Sequence, residues 1–157
     1  MTREEMFMHE AVLLSENGPK NNEGGPFGCV IVKNDKIIAR GNNKVTSLND
    51  PTAHAEIIAI RQACQILETF QLEGCEIYTS CEPCPMCLGA IYWARPEIIY
   101  YANTRKDALE IGFDDSFIYD EINADLQMRK IPIINVGREE AKNVFKKWKE
   151  KMDKKIY

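Results

Sequence analysis

Cys81-Glu82-Pro83-Cys84-Pro85-Met86-Cys87 spaces three cysteines evenly around two prolines, and upstream His54-Ala55-Glu56 sets an imidazole two residues from a carboxylate. Cysteines so placed could form a disulfide, a redox pair, a closed structural metal site or a metal site left open for chemistry. Cys84 and Cys87 stand three apart, so on a helix their sulfurs share one side of the first turn. The free N–H groups and dipole of that turn favour thiolates. His54 is placed to enter a second helix. One imidazole and two thiolates with a fourth position open make a catalytic zinc site, whereas a structural zinc closes with four protein ligands. One Zn²⁺ per chain is expected, on His54, Cys84 and Cys87. Such a metal makes hydroxide accessible near neutral pH, and Glu56 stands where a proton carrier is needed.

The competing readings explain less. Cys81 could close the site as a fourth ligand, but it precedes Pro83 at an expected strand end and reads as a buried residue. A redox Cys-x-x-Cys pair leaves His-x-Glu without a role. No export signal is legible in MTREEMFMHEAVLLSENG, which reads as an amphipathic helix and neither a signal peptide nor a membrane span. The expected compartment is the cytoplasm, where structural disulfides are rare. His9, among polar neighbours in that helix, reads as a surface residue. His-x-Glu followed by Pro-Cys-x-x-Cys is the signature of zinc-dependent nucleobase deaminases.

Elements to hold these residues follow from the pattern. FGCVIVKNDKIIARGNN reads as a hairpin turning at Lys33-Asn34-Asp35. A helix is expected through NDPTAHAEIIAIRQACQIL, capped by Asp50 with Pro51 in its first turn and Ile57, Ile60, Cys64 and Leu67 on its buried stripe. EIYTS is a strand, and Pro83 and Pro85 open a helix that Arg95-Pro96 stops. EIIYYA is a strand, KDALEIG a short helix, and IPIINVG (131–137) a last strand before a tail helix. Strands alternating with helices predict an α/β fold, a three-layer α/β/α sandwich on a mixed five-stranded sheet. The 157 residues suit one domain.

GGPFGCVIVKNDKIIARGNNKVTSLNDPTAHAE together with YTSCEPCPMCLGAIYWARP resembles the cytidine deaminase-like superfamily. Within it, GFDDSFIYDEI (112–122) is similar to the bacterial zinc-dependent guanine deaminases. The resemblance implies hydrolysis of guanine to xanthine and ammonia by water activated at the metal, with Glu56 carrying its proton to the ring nitrogen and then the amine. It implies a second functional carboxylate at Asp115, adjacent to Asp114. It places Asn43, Phe27, Ala55 and Trp93 against the base, Phe27 and Trp93 as walls of its slot. It also implies a homodimer whose C-terminal segment, about 138–157, crosses to the neighbouring subunit, where Tyr157 closes the pocket. The other deaminase readings are a tRNA adenosine deaminase and an enzyme for a related aminated ring such as cytosine or an amino-triazine. A non-catalytic zinc-bearing module would have no use for Glu56.

Charge bears on that choice. Lys and Arg number 20 against 24 Asp and Glu, and the net charge is −4. From Ala141 onward the chain carries +5, leaving −9 on the remainder. An acidic body disfavours a phosphate backbone, so nucleic acid is not the expected partner and a small purine base is. The lysines of the tail read as the solvated face of a docked helix, with Ala141, Phe145 and Trp148 on its apolar side.

Overall fold

The computed structural model describes residues 1–157. They form two compact units, Met1–Asp115 and Ser116–Tyr157. In the first, α1 (Arg3–Ser15) and the short α2 (Asn17–Lys20) lead into the hairpin β1 (Gly28–Lys33) and β2 (Lys36–Asn42). Asn34 and Asp35 both take positive φ, 49° and 59°. That is the two-residue turn whose twist matches flanking antiparallel strands. A single turn, α3 (Val45–Leu48), then precedes α4 (Ala55–Leu67), β3 (Cys75–Cys81), α5 (Pro85–Ala94), β4 (Ile98–Asn103) and α6 (Arg105–Glu110). β3 pairs antiparallel with β1 and parallel with β4, so the sheet is mixed, in the order β2-β1-β3-β4.

Both faces of the sheet are covered. Cys29, Ile31 and Ile77 pack with Ala55, Ala59 and Ala63 of α4 and Ile91 and Ala94 of α5. The alternate residues Val30, Val32 and Tyr78 pack with Ala11 of α1 on the other face. Three layers result, as the strand–helix alternation predicts. β1 accordingly reads as a continuous apolar run instead of an alternating one.

Two expectations are corrected. The sheet has four strands and not five, because 131–137 is irregular. A strand needs a ladder partner, and the second unit, otherwise α7 (Ser116–Asn123), a 3-10 turn at Leu126–Met128 and α8 (Arg138–Glu150), contains no strand to pair with. Ile131, Ile133, Ile134 and Val136 are all exposed, and Pro132 has no N–H to offer a ladder. Likewise α8 is not docked within its own unit: no residue of α7 or α8 is buried, and Val144 and Phe145 are exposed. The 42 residues are too few to enclose a core of their own. The second correction is the start of α4, which lies at Ala55 and not at Pro51. The Asp50 carboxylate accepts from the backbone N–H and the hydroxyl of Thr52, at 2.8 and 2.7 Å. This local turn takes the side chain that would otherwise have capped a helix.

Candidate active site

The helix starts build the site. His54 is the N-cap of α4 and Cys84 the N-cap of α5, both with extended backbone. Pro85 follows at the first helical position, where its missing N–H costs nothing, and Cys87 completes the turn. α4 can press its first turn onto the sheet because residue 41 is glycine; a Cβ there would overlap the carbonyl oxygen of Ala55. The outcome is that His54 Nδ1 lies 3.5 Å from the Sγ of Cys84 and 3.5 Å from the Sγ of Cys87. A tetrahedral zinc with Zn–S of about 2.3 Å and Zn–N of about 2.05 Å requires N···S separations of about 3.6 Å. The three residues fit that metal.

Their protonation suits it too. The Cys84 thiol is held down at about 4 by hydrogen bonding from Cys87 and then from His54, while Cys84 pushes Cys87 up. Hydrogen bonding to Cys84 raises His54. Cys81, at the end of β3, stands outside the group. It is buried, its Sγ is 3.7 Å from the Thr104 carbonyl oxygen, and burial first of all pushes its thiol up to about 11. The buried strand-end reading of Cys81 holds, as does the surface reading of His9, which is exposed.

Glu56, the second residue of α4, is 6% exposed, and burial raises its carboxyl. The Thr79 hydroxyl of β3 donates to its Oε1 at 2.8 Å. Sequence reasoning did not single out Thr79; the available signal was a small polar residue at the same strand parity as the apolar Cys75 and Ile77. Asn43, at the end of the hairpin, is buried. Its Oδ1 accepts from the backbone N–H of Gly25 at 3.2 Å and of Val45 at 3.1 Å. Those two bonds fix which end of the amide is which and keep Nδ2 as a donor for a ligand. Asp115 is half-buried, and its carboxyl is raised by burial and then by the charge of Cys84, whereas Asp114 is exposed.

Residues 1–103 match the family described as the cytidine and deoxycytidylate deaminase zinc-binding region. The chain belongs to that family. It is 54% identical to the guanine deaminase of Bacillus subtilis over 153 residues, 98% of each chain. The X-ray structure of the Bacillus subtilis guanine deaminase superposes with a TM-score of 0.94 at 54% identity, again over 98% of both chains. The tRNA-specific adenosine deaminase of Aquifex aeolicus is 47% identical over 81 residues, 52% of this chain and 54% of that one. The chain is therefore a zinc-binding deaminase-family protein of α/β fold, with zinc as its metal.

Beyond the zinc group, the residues expected against the base are distributed unevenly. Ala55 is buried between His54 and Glu56 at the head of α4. Phe27 packs on the core beside β1, and Phe113 stands edge-on to it with ring centroids 5.0 Å apart at 87°. Gly25 lies so close that a Cβ would come within 2.9 Å of both rings. Phe113 is a further residue that sequence reasoning missed, two positions before Asp115. Trp93 is 63% exposed on the last turn of α5, six residues and roughly 9 Å along the axis from Cys87. Tyr157 is exposed in the second unit.

Proposed function

We propose that this protein is a zinc-dependent guanine deaminase, converting guanine and water to xanthine and ammonia. The observation that carries the reading is the 54% identity to the Bacillus subtilis guanine deaminase over 98% of both chains, through the 112–122 stretch and the C-terminal helix. The likeness to tRNA-specific adenosine deaminases is weaker: 47% identity over about half of each chain for that of Aquifex aeolicus, and 32% identity over 92% of this chain for that of Buchnera aphidicola. His54, Cys84 and Cys87 would hold the zinc, which supplies a water acidic enough to attack near neutral pH. Glu56 would take one proton from that water and pass it to the ring nitrogen, then carry the remaining hydroxyl proton to the amine, so that ammonia leaves as the C–O bond replaces the C–N bond. Burial helps here, because it brings the carboxyl toward the range where it can both take and give a proton. Asn43 offers Nδ2 to an acceptor on the base, and Phe27 presents a ring to its face. Asp115 binds the N–H edge of guanine. Asp115→Asn is expected to lower kcat/KM by about 10-fold or more, and Asp114→Asn by less. A steady-state comparison giving the opposite order would move the role to Asp114.

The substrate is tested by ammonia release from guanine, adenine, cytosine, guanosine and tRNA. Guanine is expected to react, while tRNA forms no inosine, since the chain outside its tail carries −9 and offers an anticodon stem no continuous basic track. Inosine in the tRNA digest would replace this reading with the adenosine deaminase one.

We further infer one deaminase domain per chain and a homodimer in which the C-terminal segment of each chain closes the partner's pocket. What supports this is the state of the second unit: α8 and 131–137 expose apolar side chains that a neighbouring subunit could cover. The proposed compartment is the cytoplasm; no helix is long and apolar enough to cross a membrane. Deleting Ile156 and Tyr157 is expected to raise KM or lower kcat several-fold, by about 1 kcal/mol or more, with zinc content unchanged. A fully active monomer by light scattering, or wild-type kinetics from the truncation, rules out the lid.

A further inference from the structure

Side chains on β3 alternate between the two cores, and Ile77 faces the one formed with α4 and α5. Thr79 has the same parity, so it points to the same apolar side, where it is 1% exposed. A valine or isoleucine would fill that position as well and leave no hydroxyl to satisfy. A hydroxyl buried there needs a partner, and it has one: Glu56 Oε1 at 2.8 Å, 23 residues away in the chain. In that bond the Thr79 hydroxyl donates and the carboxyl oxygen accepts. Cys29, paired across the sheet with Thr79, is held as a neutral thiol by its burial.

We propose that Thr79 is a positioning residue that pins Glu56 for proton transfer. The proposal rests on Glu56 being the proton carrier. A glutamate side chain turns about three torsions, and a carrier must keep one oxygen within hydrogen-bond reach of the reacting water. The Thr79 hydroxyl ties Oε1 to β3, an inner strand of the sheet, and so limits the turning of the whole carboxylate. When Cys87 binds metal it does so as a thiolate and has no S–H to offer the carboxylate. Thr79 then stands as the side-chain donor that Glu56 keeps throughout the cycle.

Thr79→Val preserves shape and β-branching and removes only the donor, while Thr79→Ser keeps the donor and removes a methyl. With guanine as substrate, Thr79→Val is expected to lower kcat by about 10- to 100-fold with KM within about twofold of wild type and zinc content unchanged. Thr79→Ser should recover kcat to within about threefold of wild type. In a Glu56→Gln background the valine exchange should change kcat by less than about twofold, because the two residues act as one unit. Wild-type kcat in Thr79→Val, with Glu56→Gln slow, overturns the role of Thr79 and leaves that of Glu56 standing. Zinc lost from Thr79→Val, or equal losses in the valine and serine variants, assigns Thr79 a structural role instead. A fast Glu56→Gln enzyme removes the carrier itself.

Discussion

Glutamine in place of Glu56 is expected to leave zinc content and fold intact and to cut guanine turnover by about 100-fold or more. The two side chains have the same size, and the amide oxygen can still accept the Thr79 hydroxyl at the position Oε1 occupies. Stability should hold or rise, because a neutral amide is less costly to bury than a carboxylate, and this side chain is 6% exposed. What the amide cannot do is take a proton from water and return it to a leaving amine. His54, Cys84 and Cys87 are untouched, so metal stoichiometry by atomic absorption should match wild type. Ammonia release in a single-turnover assay reads the chemical step directly. Appreciable release by the variant would transfer the proton to another group, with Asp115 next to be examined.

The parts of this site that sequence alone revealed are those built from local geometry. A Cys-x-x-Cys at a proline-marked helix start shares one side of the first turn wherever the helix lies, and His-x-Glu marks another helix start by its place ahead of an apolar-periodic run. Placing Thr79 against Glu56 needs the packing of β3 on α4, which no local pattern contains. Phe113 against Phe27 likewise joins residues 86 positions apart through a loop that opens at Gly112, where φ is +95°. Local rules also compete. Asp50 ahead of Pro51 satisfies a helix-capping pattern, but Thr52 offers both N–H and O–H to the same carboxylate and the turn prevails. At 131–137 the composition is strand-like, yet composition cannot supply an edge to pair with, and the unit holding this segment has none.

Cys84→Ser should lose zinc and activity together, whereas Cys81→Ser should retain both. A serine hydroxyl at neutral pH is a neutral, hard ligand and a poor substitute for a thiolate on zinc. Hydrogen bonding from Cys87 and then from His54 favours the thiolate of Cys84, and its sulfur is 3.5 Å from His54 Nδ1. Removing it leaves two ligands, one of them a thiol that then has to lose its own proton to bind. Nothing of this applies to Cys81, whose sulfur meets the Thr104 carbonyl oxygen and whose thiol is pushed up to about 11. Its serine variant should be less stable by about 1 kcal/mol, because a buried hydroxyl replaces a weakly polar thiol, with zinc and turnover unaffected. The pair also separates an open site from a closed one. If Cys81 were a fourth ligand, its serine variant would release metal, no position would remain for water, and hydrolysis at this zinc would have to be abandoned. Zinc content and ammonia release measured side by side on both variants decide between those outcomes.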